Sequence, residues 1–208
     1  MIHTSDIAFT ESVKAVQKRK GSRPAYESME QSGSWESRIT PDLRRFIEEQ
    51  TSAFLATASA AGQPYIQHRG GPAGFLRVLD ESTIGFADFS GNRQYITLGN
   101  LAENPKAQLF LIDYAQRRRV KLWGQARVEE HDEELIRRLA PEGYKVRAEQ
   151  AIVLKVRAWD TNCSKHIPQR FDAAEVSAAL AERDRRIEEL SDRIERLSGA
   201  GGSPSKST

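Results

Sequence analysis

Arginine recurs in this chain where a strand should turn. Arg69 stands in "QHRGGPAGF", Arg93 in "SGNRQYITLGNLAENP", and Arg117, Arg118 and Arg119 form a triplet in "DYAQRRRVKLWGQARV". A guanidinium is a rigid fork of N–H donors that matches phosphate or carboxylate, so the chemistry these positions offer is anion recognition. Around Arg93, Gly91 and Asn92 favour a tight turn after an apolar run, and helix-compatible residues follow until Pro105. That order aims free backbone N–H groups and the Arg93 side chain at one point, where a phosphate can sit; the alternative is a capped turn with a solvated arginine. In the triplet, Arg119 and Lys121 share one side of a strand while Arg118 and Val120 share the other, so one face can coat solvent and the other can reach a ligand. Arg69 ends a strand before a glycine pair that permits close backbone approach.

These cations stand out because the chain is nearly neutral overall. Its 31 basic and 29 acidic residues leave a net +2, which gives no global attraction to nucleic acid or an acidic membrane. The arginines gathered at these turns are few, and no aromatic platform or recognition helix accompanies them, which argues against nucleic acid as a partner. At 208 residues and 38% hydrophobic, one sizeable core with appendages is expected. A single cysteine rules out an intramolecular disulfide and suits a reducing compartment. The first residues are polar and no run of about 18 apolar residues occurs, so the expectation is a cytoplasmic protein with no membrane partner. The sequon-like Asn162-Cys163-Ser164 is then irrelevant.

The elements that must position the arginines read in three regions. Residues 1–39 carry no sustained period and are expected to form an irregular arm with short helical turns. Thr40 and Pro41 begin a helix that places Leu43, Phe46 and Ile47 on one face and runs to about Gln50, closing a 1–50 region. From Ser52 the pattern turns to short strands: "SAFLATAS", "PYIQHRG", "FLRVLD", "TIGFADF", "KAQLFLIDY", "RVKLWGQARVEE" and, after a helix near Asp132 to Ala140, "AIVLKVRAW". Seven strands in antiparallel hairpins argue for a closed barrel, because closure removes exposed edges. This barrel region is 51–171. In 172–198, Val176, Leu180, Ile187, Leu190, Ile194 and Leu197 step by four and three, interrupted by Arg183, giving a heptad seam of about three repeats. The seam reads either as a helix lying on its own barrel or as a coiled coil with a second subunit. Residues 199–208, "AGGSPSKST" after Gly199, read as a disordered tail.

The order of motifs resembles the pyridoxamine 5'-phosphate oxidase family. "GNRQ" stands where that family carries a glycine, a polar residue and two basic residues; "LAENP" resembles its helix end, and "RRRVKLWGQARV" the strand whose first residues touch flavin. "IQHRGGPAGFLRVLD", "ADFSGNRQYITLGNL" and "NCSKHIPQRF" resemble its bacterial flavin-nucleotide-binding subgroup, so the likeness spans about 50–171. It implies a mainly β fold with flanking helices, the split β-barrel, binding flavin mononucleotide (FMN) at the interface of a homodimer. Carried over residue by residue, it implies that Arg93 holds the flavin phosphate, with Asn92 and Gln94 beside it and Arg69 as a second phosphate arginine. Arg119 takes the place of a glutamine near the flavin ring, with Lys121 on the same face. Trp159 and Arg170 fall near residues that contact flavin from the other subunit, and Lys165 and His166 fall near the substrate-binding basic pair. The oxidases hold their substrate with an arginine–histidine pair spaced by one residue and a further C-terminal segment; this chain has Lys165-His166 in a loop of altered length, which weakens the case for pyridoxamine phosphate oxidation and leaves that for flavin binding largely intact.

Three functional readings follow. An FMN-dependent oxidoreductase acting on a small-molecule substrate needs no triad or carboxylate pair, since the flavin carries the redox chemistry. The alternative is a non-catalytic module that binds, carries or senses flavin, deazaflavin or haem, because fold alone does not choose among them. A zinc site on Cys163 and His166 has only half a tetrad, and His3, His68 and His131 add no second pair, so no metal is expected. Cys163 as a nucleophile would need His166 as its base.

Overall fold

The computed structural model describes residues 3–161 and 165–199. The Asn162-Cys163-Ser164 stretch and the 200–208 tail lie outside the described residues. The chain divides into two units, residues 1–167 and 168–208.

The first unit is built on one seven-stranded sheet. Its strands are β1 (Ser52–Ala58), β2 (Pro64–Gly70), β3 (Arg77–Asp80), β4 (Thr83–Phe89), β5 (Lys106–Asp113), β6 (Arg118–Glu129) and β7 (Ala148–Thr161), in the order β2-β1-β5-β6-β7-β4-β3 with every neighbour antiparallel. Period-two burial sets the register in β1, β5 and β6: Leu55, Leu109, Leu111, Val120 and Leu122 point inward and their neighbours outward. β4 and the middle of β7 are buried on both faces, which accounts for the unbroken apolar run "AIVL". A helix, α3 (Pro41–Glu48), supplies Leu43, Phe46 and Ile47 to the core; the Thr40 hydroxyl accepts from the Leu43 N–H at 3.2 Å and starts it.

The closed barrel expected from the hairpins is not what forms. The sheet is open, with β2 and β3 as edges, as in a split barrel. β3 is only four residues long and β2 begins at Pro64, two devices that blunt an edge without ladder closure. β2, first in the order, and β4, sixth, are instead joined through side chains: Arg69 on β2 is ion-paired with Asp88 on β4.

The arm is more regular than its sequence suggests. After a 3-10 turn at Thr4–Ile7 come α1 (Glu11–Lys20) and α2 (Arg23–Gln31). The Thr10 hydroxyl caps α1 and Gly21, at φ 79°, ends it. A buried network of Arg23, Glu30, Ser5 and Gln17 ties the turn and both helices together. Phe9 packs on Tyr26 and Trp35 at 5.1 and 5.0 Å, and Trp35 stacks on Trp123 of β6 at 4.7 Å.

Two further helices complete the first unit, α4 (Ile96–Glu103) and α5 (Glu133–Leu139). Leu139 packs with Ala87 and Ala151 on the second face of β4 and β7. Among its described residues the second unit holds one helix, α6 (Ala173–Gly199). No helix among the described residues is long and apolar enough to cross a membrane, and no group of three or more metal-ligating side chains forms among them.

Candidate functional site

The turn after β4 is where backbone, charge and space meet. Asn92 shapes it: its Oδ1 accepts from the Gln94 N–H at 3.3 Å, an Asx turn. Arg93 and Tyr95 both adopt the left-handed region, at φ 58° and 53°, uncommon for residues with a Cβ. Arg93 Nε donates to the Tyr95 hydroxyl at 3.0 Å, a bond that raises the Arg93 pKa, with Tyr95 and then Glu149 adding electrostatically. Tyr95 is the N-cap of α4 and offers no side-chain cap. The N–H groups of Ile96, Thr97 and Leu98 therefore begin the helix without intrahelical partners.

Those three residues, together with Asn92, Arg93 and Gln94, line a recess of about 50 Å³ that Arg69, Asp88 and Gln150 also border. The floor is a polar network. Arg69 Nη2 donates to the Thr97 hydroxyl at 3.2 Å, Thr97 donates to Gln67 Oε1 at 2.9 Å, and Gln150 Nε2 donates to Asp88 Oδ2 at 2.7 Å. Asp88 and Gln150 face each other across the β4–β7 ladder. The Arg69 and Asp88 side chains are only 13% and 6% exposed, and Arg69 Nε is buried with no partner among the described residues. A second recess, about 180 Å³, shares Gln67, Arg69, Asp88 and Phe89 with the first and is also lined by His68, Gly70, Phe75 and Phe86, so the Arg69–Asp88 bridge borders both.

The structure thus brings Arg69, Asn92, Arg93 and Gln94 to one recess, and the other sequence-selected residues do not line it. Lys121 pairs with Asp160 at 3.5 Å and lies 5.2 Å from the Trp123 ring centroid. Arg119 points to the same outer face of β6, with its Nε buried and unpartnered among the described residues. The other two of the triplet are structural. Arg118 pairs with Asp42 at 2.7 Å and sits over the Phe46 ring at 4.4 Å, while Arg117, at φ 54°, donates to the Ile167 carbonyl at 3.2 Å. Trp159 anchors the arm: its N–H donates to the Glu36 carbonyl and its indole to the Arg38 carbonyl, both at 2.9 Å. Lys165 and His166 lie in an exposed turn, His166 at φ 65°, and Arg170 belongs to the second unit. Cys163 is outside the described residues.

Asp88, Gln150, Thr97, Gln67 and Tyr95 belong to the site without being marked by motif or spacing. One signal is available in the sequence: an acid inside the apolar run "TIGFADF" needs a buried cation or donor.

In sequence, residues 39–163 match the family described as pyridoxamine 5'-phosphate oxidase. No curated protein matches the chain. Among solved structures it is similar to HupZ of Group A Streptococcus, at 21% identity and TM-score 0.49 over 64% of this chain and 99% of that one. It is similar as well to an FMN-binding protein of Syntrophomonas wolfei subsp. wolfei, at 15% and 0.47 over 71% and 97%. A third is HutZ, the heme storage protein of Vibrio cholerae, at 18% and 0.41 over 57% and 90%.

Proposed function

The chain belongs to the pyridoxamine 5'-phosphate oxidase family, and on that premise we propose that it binds FMN and is an oxidoreductase for a small molecule. The observation that carries the reading is the convergence of Arg69, Asn92, Arg93 and Gln94 on the uncapped start of α4. Those groups fit a phosphate: helix N–H donors without intrahelical partners, an exposed guanidinium kept charged, and a buried arginine nitrogen without an acceptor among the described residues. Arg93 binds the phosphate directly, Asn92 holds the turn, Gln94 lies at the rim, and Arg69 supports the floor while answering Asp88. Bound FMN supplies hydride-transfer chemistry, for which the protein needs to provide position and a dry surface.

A recess of about 50 Å³ holds the phosphate end alone, so the flavin ring lies outside it against another wall. A second copy of the chain supplies that wall in this reading, and Arg119, Lys121, Trp159, Lys165, His166 and Arg170, which do not line the recess, are the candidates to meet the cofactor or substrate from the partner. Apolar residues on the outer strand faces favour such a homodimer: Ile66 is 62% exposed, and Phe54 packs edge-on to His68 and 6.4 Å from Phe110.

The test is titration of the apoprotein with FMN, followed by flavin fluorescence, and then anaerobic reduction of the complex by candidate donors. A charge-assisted hydrogen bond is worth about 1.5–3 kcal/mol, so Arg93→Ala weakens binding about 10- to 100-fold. Equal affinity in the variant removes Arg93 from the site; FMN binding with no turnover of any donor leaves a binding protein.

A further inference from the structure

The helix of the second unit, α6, carries an ordered pattern. Its apolar residues Val176, Leu180, Ile187, Leu190, Ile194 and Leu197 are 43–67% exposed. The remaining positions are largely charged and satisfied within the helix, as by Arg186 with Glu189 at 2.9 Å. An amphipathic helix of 27 residues gains little from its apolar stripe unless that stripe is covered.

We propose that α6 pairs with α6 of a second copy as a parallel, in-register, two-stranded coiled coil. Three features of the sequence select that occupant. With Leu180, Ile187 and Ile194 at heptad position a, and Val176, Leu190 and Leu197 at d, the last two repeats have β-branched Ile at a and Leu at d, the combination that favours two parallel strands. The break in the stripe, Arg183, falls at d, and Asp184 follows at e. In a parallel pair the d side chain lies beside the partner's e position, so each Arg183 reaches the partner's Asp184 while its stem stays in the seam. Within one chain Arg183 Nη2 already donates to Asp184 Oδ1 at 3.1 Å, so pairing exchanges that contact for an equivalent one across the seam. The antiparallel arrangement in full overlap sets Arg183 against the partner's Ile187, Ile194 against Val176 and Leu197 against Ala173, so the matched Ile and Leu layers of the last two repeats do not form. Higher assemblies bury the d layer more deeply and strand the guanidinium. Arg183 therefore fixes register and strand number at some expense of stability, as polar seam residues do.

Site-specific cross-linking of the full chain tests this and separates it from mere proximity through a barrel dimer. In a Cys163→Ser background, Leu197→Cys places a thiol at d and Asp192→Cys places one at f, on the outer face. A disulfide needs Cα atoms within about 7 Å, which a parallel seam provides at d and denies at f. Under mild oxidation at micromolar protein, Leu197→Cys should form cross-linked dimer at least ten times faster than Asp192→Cys. A further Ile187→Asp substitution should erase that difference. Equal rates at the two positions, as loosely tethered helices would give, overturn the proposal; so does the absence of cross-linking at Leu197→Cys, as an antiparallel coil or a helix lying on its own barrel would give.

Discussion

Replacing Arg69 by alanine should cost stability first and affinity second, because the structure makes it a strut across the split. Its partner Asp88 is 6% exposed at the side chain, and Arg69 itself 13%. Removing one member of a buried ion pair costs about 3–5 kcal/mol, mostly as the penalty of an unanswered charge. The Gln150 amide still donates to Asp88 at 2.7 Å, which places the expected loss near the lower end, about 3 kcal/mol. For a chain of this size each kcal/mol shifts the melting temperature by about 2–4 °C, so Arg69→Ala should melt about 6–12 °C below the parent. The double variant Arg69→Ala with Asp88→Asn leaves no charge behind, and the introduced amide still offers Gln150 an oxygen; at least about 2 kcal/mol of the loss should return. Urea unfolding followed by circular dichroism, on apoprotein of all three chains, reads these differences. A loss under about 1 kcal/mol for Arg69→Ala, or a double variant no more stable than the single, would refute the claim that the ion pair bridges the opening. Arg93 should behave differently: it is exposed and forfeits one side-chain hydrogen bond, to Tyr95, so its removal should change FMN affinity and cost only about 0.5–1.5 kcal/mol of unfolding free energy.

Two other perturbations test the frame around the site. Burial raises the Glu30 pKa, but the Arg23 hydrogen bond and charge lower it more, leaving it below the ordinary 4.5. The stability this pair contributes is complete above that value and is lost as the pH falls through the depressed one, so the arm should loosen in acid, and Glu30→Gln should flatten the pH dependence of unfolding below about pH 5. Gly124 sits at a register shift between β6 and β7, where an added Cβ would lie 2.1 Å from the Lys155 carbonyl oxygen. Gly124→Ala should therefore destabilise by about 3 kcal/mol or more in the same urea assay, and a neutral result would mean that the bulge relaxes freely.

Much of the sheet is legible in the sequence because alternation and turn residues are local signals. β1 and β2 run over the residues their alternation marks, β4 over its apolar run, and β7 extends beyond "AIVLKVRAW" at both ends, where pairing with β6 and β4 continues past the apolar run. The arm is less legible for a physical reason. It is held by Phe9, Tyr26 and Trp35, at irregular spacing, and by a buried ion network, so no hydrophobic period marks α1 or α2. The start and stop signals of α1, Thr10 and Gly21, have no stripe between them. The open edges are illegible because hairpins specify which strands pair and say nothing of whether the outer two meet; curvature brings β2 and β4 within side-chain reach while the backbone ladder stays open.

The same distinction explains the site. Gly91, Asn92 and Arg93 announce a turn, and the turn is where they place it. What they do not announce is that Arg93 and Tyr95 hold left-handed backbone side by side, or that Arg117 does so in the hairpin between β5 and β6. A residue with a Cβ stays there when tertiary contacts offset about 1–2 kcal/mol of strain. The partners differ: Arg93 and Tyr95 bond to each other across the turn, whereas Arg117 bonds to the carbonyl of Ile167, fifty residues away in sequence. One bend is thus locked locally at the recess, and the other is locked by the segment that ends the barrel unit. Three adjacent arginines that look alike in sequence therefore divide their work by fold: Arg117 fixes a turn, Arg118 ties β6 to α3, and Arg119 alone is left with a buried donor still unanswered among the described residues.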